Sequence, residues 1–209
     1  MKSGGSELRD RALGRYARGA VGGSSVGVRR YGAVAGSGSV AIGVLSELGS
    51  GGTGETTSGK DLSAAIGAPV ETAAQIIAEA VAPDTSEGDS IRILIEEAIC
   101  EVLQGEETLE RESITPEFLD AVLFQYTVEA IMHDMLAREG SPSLDAAESA
   151  EILQARENEL RQAVEAVVDS RLVANKAGRE LGAMSQAERR QLQLDCIQSV
   201  LEVWESYDE

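Results

Sequence analysis

Aromatic residues are scarce in this sequence, 3% of 209 positions, so any core must be assembled from Ala, Val, Ile and Leu. Two cysteines, Cys100 and Cys196, are too few for a disulfide framework or a zinc knot. Both sit among apolar residues, where a thiol behaves as a small hydrophobe, and this usage fits a reduced, cytoplasmic setting. Runs of about 18 apolar residues are missing, as is a basic-then-apolar leader ending at a small-residue cleavage site. The Val40–Leu48 run is too short to cross a bilayer, so no membrane association is expected. With one histidine there is no His-Glu-x-x-His zinc helix, and no Asp-x-Asp-x-Asp-Gly calcium loop occurs either. No metal and no cofactor is expected. Period-2 runs bounded by turn residues are lacking too, which argues against a sheet.

What the sequence does have is charge, unevenly placed. Residues 1–60 carry eight Lys or Arg against four acids, whereas the remainder carries ten against 32. A body that acidic repels nucleic acid and anionic membranes, so only the front arm could be drawn to phosphate or to an acidic protein surface. Sixteen of the 22 glycines also fall in residues 1–59. Each interior Gly costs a helix about 1 kcal/mol against Ala, so most of the arm should not hold a long helix by itself. A loose helical stripe runs through Leu8, Ala12, Tyr16 and Ala17, a weak or partner-stabilised helix is expected near 38–48, and 49–60 reads as a linker.

Beyond residue 60 the pattern becomes helical, and the division is into a Gly/Arg-rich flexible arm and linker (1–60) and an acidic helical bundle domain (61–209). The organising stretch is Ser90 to Leu103, where Ile91, Leu94, Ile95, Ala98, Ile99, Val102 and Leu103 recur at i, i+3, i+4 and i+7, with Gly105 suited to a left-handed stop. Other helices are expected over 70–81, from Pro116 behind a Thr115 cap to about Glu139, from Ser143 to about Lys176, and from a Ser185–Glu188 capping box to the end. The fold class is therefore all-α: an irregular helical bundle with a glycine-rich, basic, partly flexible N-terminal arm.

Chemistry is harder to find. Gly54-Glu-Thr-Thr-Ser-Gly-Lys60 has the spacing of a phosphate loop, but Asp61 stands where a Ser or Thr should reach magnesium, and no strand precedes it. Gly36-Ser-Gly-Ser-Val-Ala41 resembles part of a dinucleotide fingerprint without its strand. His133 has Asp134 beside it and Glu129 one turn earlier, a pair that could move a proton, although a lone helical His more often sits on a surface. No residue is assigned a catalytic role, and the chain is read as not an enzyme. The arm is more informative: Arg11, Arg15 and Arg18 flank Tyr16, and Arg29 and Arg30 precede Tyr31. Guanidinium groups interleaved with rings can grip phosphate, stack on bases or clamp an acidic protein, and the acidic body favours a protein partner over nucleic acid.

The order of these features is itself informative. A Gly/Ser-rich opening leads to Arg11-Ala-Leu-Gly-Arg-Tyr16, then Arg29-Arg-Tyr-Gly-Ala-Val34, then Val44-Leu-Ser-Glu-Leu-Gly-Ser-Gly-Gly52, the segment 62–81, and Ser90-Ile-Arg-Ile-Leu-Ile-Glu-Glu-Ala-Ile99. This order resembles the QatB component of Qat-type bacterial antiphage defence systems, best through residues 8–135. The resemblance implies a non-enzymatic adaptor or substrate in a system that also encodes an ATPase, a QueC-like deazaguanine-type enzyme and a TatD-like nuclease. It further implies that the N-terminus engages the QueC-like enzyme, with Gly4 and Gly5 at the reaching end. Family members open with Met-Gly, whereas this sequence opens Met1-Lys2-Ser3-Gly4-Gly5. The alternative function is a nucleic-acid-sensing module acting through the basic arm.

Overall fold

The computed structural model describes residues 10, 13–20, 22–56, 59–139 and 150–208. Seven α-helices are found among them: α1 (Ser24–Gly27), α2 (Gly32–Gly49), α3 (Val70–Val81), α4 (Gly88–Val102), α5 (Pro116–Glu139), α6 (Ala150–Lys176) and α7 (Gln186–Glu205). A π-helical turn spans Tyr16–Ala20, and short 3-10 turns occupy Val28–Tyr31, Ser63–Ala65, Arg111–Ser113, Leu181–Ala183 and Ser206–Asp208. No strand occurs among the described residues, only an isolated bridge between Pro69 and Thr108. The fold is all-α.

The elements follow the local chemistry closely. Helix α3 has the bounds the periodicity predicts, and Pro69 precedes it. In α5, Thr115 Oγ1 accepts the Phe118 amide at 3.2 Å, the expected cap. At α7 the capping box is complete: Ser185 Oγ accepts the Glu188 amide at 3.3 Å and the Glu188 carboxylate accepts the Ser185 amide at 2.8 Å. Helix α4 starts two residues earlier than expected, with Glu87 in the capping position and no side-chain cap. Asp89 lies inside its first turn instead and pairs with Arg92 at 2.7 Å. Residues 143–149 of the expected long helix lie outside the described residues.

The largest departure concerns the arm. Residues 32–49 form one helix of 18 residues, α2, which packs against α3, α4, α5 and α7. Its Ala41, Ile42, Val44, Leu45 and Leu48 belong to the same buried cluster as Val70, Ile77, Ile95, Ile99 and Leu119. The second half of the arm is thus the central helix of the bundle, and the organising role expected of the 90–103 stretch falls to α2. Tertiary packing overrides propensity here, because the glycines that weaken an isolated helix are what let neighbours approach. A Cβ on Gly38 would lie 2.6 Å from Gln193 Oε1 and 2.7 Å from Tyr126 Cε1, and one on Gly43 would lie 2.5 Å from an Arg189 guanidinium nitrogen. An 18-residue window within helical residues 24–49 also reaches a mean hydropathy of 1.2, long and apolar enough to cross a membrane by those criteria alone, yet half of that window is buried inside the protein.

A second cluster lies alongside the first. Leu13, Tyr16, Ala17 and Tyr31 meet Ile131, Met132 and Met135 of α5, Val164 and Val168 of α6, and Ile197, Val200, Leu201 and Trp204 of α7. Val34 and Leu172 pack against both clusters. Helix α5 is therefore buried on more than one side, which explains why Val128, Met132 and Met135 are buried outside the single stripe that periodicity suggests.

Candidate functional site

Burial of the second cluster fixes where the basic segment sits. Tyr16 and Tyr31 are 0% and 3% exposed, so their rings are not offered to a partner as the sequence suggests; both point into the protein. The physical reason is a carboxylate on the apolar side of α5. Tyr16 Oη donates to Asp134 Oδ2 at 2.6 Å, and the two tyrosine hydroxyls meet at 3.0 Å. Tyr31 Oη also approaches Asp134 Oδ2 at 3.5 Å. Because Tyr16 spends its one hydroxyl proton on the hydrogen bond to Asp134, the Tyr31 hydroxyl is the donor in the contact between the two tyrosines. The Tyr16 ring meets Trp204 edge-on at 6.0 Å between centroids, a favoured aromatic geometry. Burial pushes the Tyr16 phenol far above its ordinary range, reinforced by Tyr31 and Asp134.

The C-terminal end of α7 closes the same seam. Arg18 donates from its guanidinium to the Glu205 carbonyl at 2.5 Å, placing a cation at the negative end of the helix. The Ser24 amide donates to the Glu205 carboxylate at 2.6 Å. Residues 13–20 and 22–31 are thereby strapped across α5 and α7, and Arg15, Arg18, Arg29 and Arg30 are all exposed. Arg190 of α7 joins them from the far end of the sequence, its guanidinium 3.5 Å from where a Gly32 side chain would begin. Gly4, Gly5 and Arg11 lie outside the described residues.

Sequence reasoning missed Asp134, Trp204, Glu205 and Arg190 as parts of this site. Asp134 had a legible signal, since a carboxylate one turn beyond Ala130 and Ile131 on the core-facing stripe needs a buried donor. The others had none, because they are brought to the arm only by the fold.

The remaining candidate chemistry is accounted for by structural roles. His133 is exposed, Asp134 is held by tyrosines, and Glu129 pairs with Arg161 through both carboxylate oxygens, the longer contact at 3.0 Å. The proton-transfer pair is therefore not assembled. Burial pushes the Cys196 thiol up to about 12, and burial together with Glu71 and Glu96 raises the half-buried Cys100, so neither is poised as a thiolate. Helix α2, not a strand, precedes the phosphate-loop look-alike, and Thr56 holds Lys60 in a turn, its amide donating to the Lys60 carbonyl at 3.2 Å. Asp61 accepts the Ser63 amide at 2.8 Å, and the Ser63 hydroxyl together with that amide holds its carboxyl below the usual range. The dinucleotide look-alike lies within α2. Among the described residues no group of three or more His, Cys, Asp and Glu is placed to hold a metal.

A family model described as Qat anti-phage system associated protein QatB matches residues 22–204. No curated protein and no solved structure matches the chain.

Proposed function

The chain belongs to the QatB family and so is a component of an anti-phage defence system, and we propose that within it the protein is a non-enzymatic cytoplasmic adaptor or substrate. Its N-terminal end engages a QueC-like enzyme, while the helical body docks on other components such as the ATPase and the TatD-like nuclease. The observation carrying this reading is the strap: Tyr16, Tyr31 and Asp134 fix residues 13–20 and 22–31 to the bundle and leave Arg15, Arg18, Arg29 and Arg30 facing outward. The residues before the strap then start from a defined point on the body, which limits the space an incoming enzyme must search.

The nucleic-acid-sensing alternative draws on the same exposed arginines. It is weakened by the burial of both tyrosines, because backbone-tracking cations without stacking rings make a poor single-strand platform.

Co-expression with the other proteins of the system, affinity capture on the bundle, and intact-mass measurement test the proposal. Capture of at least one component, lost or weakened in an Arg29→Glu, Arg30→Glu variant of unchanged helicity, is the expected result. A mass shift that depends on the QueC-like enzyme would mark the chain as substrate. Capture of no component, together with salt-sensitive binding of nucleic acid lost in the same variant, would establish the alternative instead.

A further inference from the structure

A cleft of 290 Å³ opens between α5, α6 and α7, at the seam between the two clusters. Its floor is made of Leu123, Leu181 and Leu192, all buried. Phe124 and Val173 form its walls, and Val173 is 65% exposed, the most exposed large apolar residue described. Solvated single hydrophobes are ordinary; one at the lip of an apolar cleft is not. The volume lies at the small end of the range for ligand pockets.

The mouth is acidic. Asp120 pairs with Lys176, which also sits near Glu117, and Asp169 lies on the same rim. Among the described residues Asp169 has no ion-pair or hydrogen-bond partner. Lys176 is thus engaged by Asp120 while Asp169 is left unpaired, on a body with 32 acids against ten bases beyond residue 60. An apolar floor under an unpaired carboxylate suits an aliphatic group carrying, or lying next to, a positive charge.

We propose that this cleft is the anchor pocket through which the body binds a basic segment of a partner protein, an apolar side chain entering between Phe124 and Val173 while a neighbouring Lys or Arg pairs with Asp169. The surrounding acidic surface steers such a segment in, and the pocket supplies the desolvated contact that holds it. The inference rests on the adaptor reading and names the surface that the body uses.

The test compares the wild type, an Asp169→Lys, Val173→Glu cleft variant, and the Arg29→Glu, Arg30→Glu arm variant, each as the full chain co-expressed with the other system proteins. Both cleft substitutions are at exposed positions of a helix, and unchanged helicity and melting temperature verify the fold. The expected result is that the cleft variant releases one component that the arm variant still captures, with a loss of affinity of about tenfold or more. A cleft variant that captures every component as well as the wild type overturns this inference while leaving the adaptor reading standing. A wild type that captures nothing removes both. As a direct probe, a synthetic peptide of alternating Leu and Arg should bind the wild type in a salt-sensitive manner and bind the cleft variant about tenfold more weakly. Equal binding to both would place the peptide elsewhere on the acidic surface and reject the pocket.

Discussion

At the scale of single residues, the glycines of α2 separate two meanings of the same amino acid. Gly36 has open space where a side chain would begin, whereas Gly38 is pressed against Tyr126 and Gln193. Gly36→Ala should therefore gain the helix-propensity difference, up to about 1 kcal/mol. Gly38→Ala makes the same local gain but must displace Tyr126, which donates to the Val34 carbonyl at 2.9 Å, so a net loss of about 1–3 kcal/mol is expected. Denaturant midpoints of the two variants check the opposite signs; two equal gains would show that α2 does not pack as described. Glycine content is legible in a sequence, but whether it signals looseness or close approach depends on what lies opposite. Here Tyr126 and Gln193 come from distant helices.

At the scale of elements, the capping box at α7 makes an acid-side prediction. Glu188 accepts from the Ser185 amide and hydroxyl, both at 2.8 Å, and these bonds hold its carboxyl below the usual range. A lowered folded-state value means the contribution is present above the ordinary glutamate range and lost as pH falls through the lowered one. Ser185→Ala should cost about 1 kcal/mol, seen as a melting temperature about 2–4 °C lower at neutral pH, with the gap narrowing in acid as the hydroxyl-to-carboxylate bond is lost from the wild type too. A gap that is the same at neutral and acid pH would contradict it. Helix starts and stops such as this one, Thr115 and Gly105, with its φ of 97°, were readable because capping is local. The π-helical turn at Tyr16–Ala20 was not, since it is held by Trp204 and Asp134 rather than by its neighbours in sequence.

For the whole molecule, the central place of α2 predicts cooperativity. A fragment of residues 61–209 should fail to give a sharp thermal transition, because removing Ile42, Leu45 and Leu48 opens the first cluster and each loss costs on the order of 2–5 kcal/mol. A fragment that melts as cooperatively as the full chain would restore the division at residue 60. Alkali should act on both clusters. Burial raises Tyr16 and Tyr126 and pushes Cys196 up to about 12, so all three stabilise the fold fully below their unfolded-state values and withdraw that support as pH climbs above about 9 for the thiol and about 10 for the phenols. Phenolate absorbance and helix loss should appear together in a pH titration; buried-tyrosine phenolate forming with helicity intact would refute this. By itself the sequence determined the helical class, most helix bounds and the uneven charge, because periodicity, capping and composition are properties of neighbouring residues. Only the tertiary structure decided that a glycine-rich stretch is the central helix, that the tyrosines of the arm face inward, and that an acidic cleft with an apolar floor exists. Each of those depends on which distant surfaces meet, and burial free energy is set by that meeting rather than by local preference.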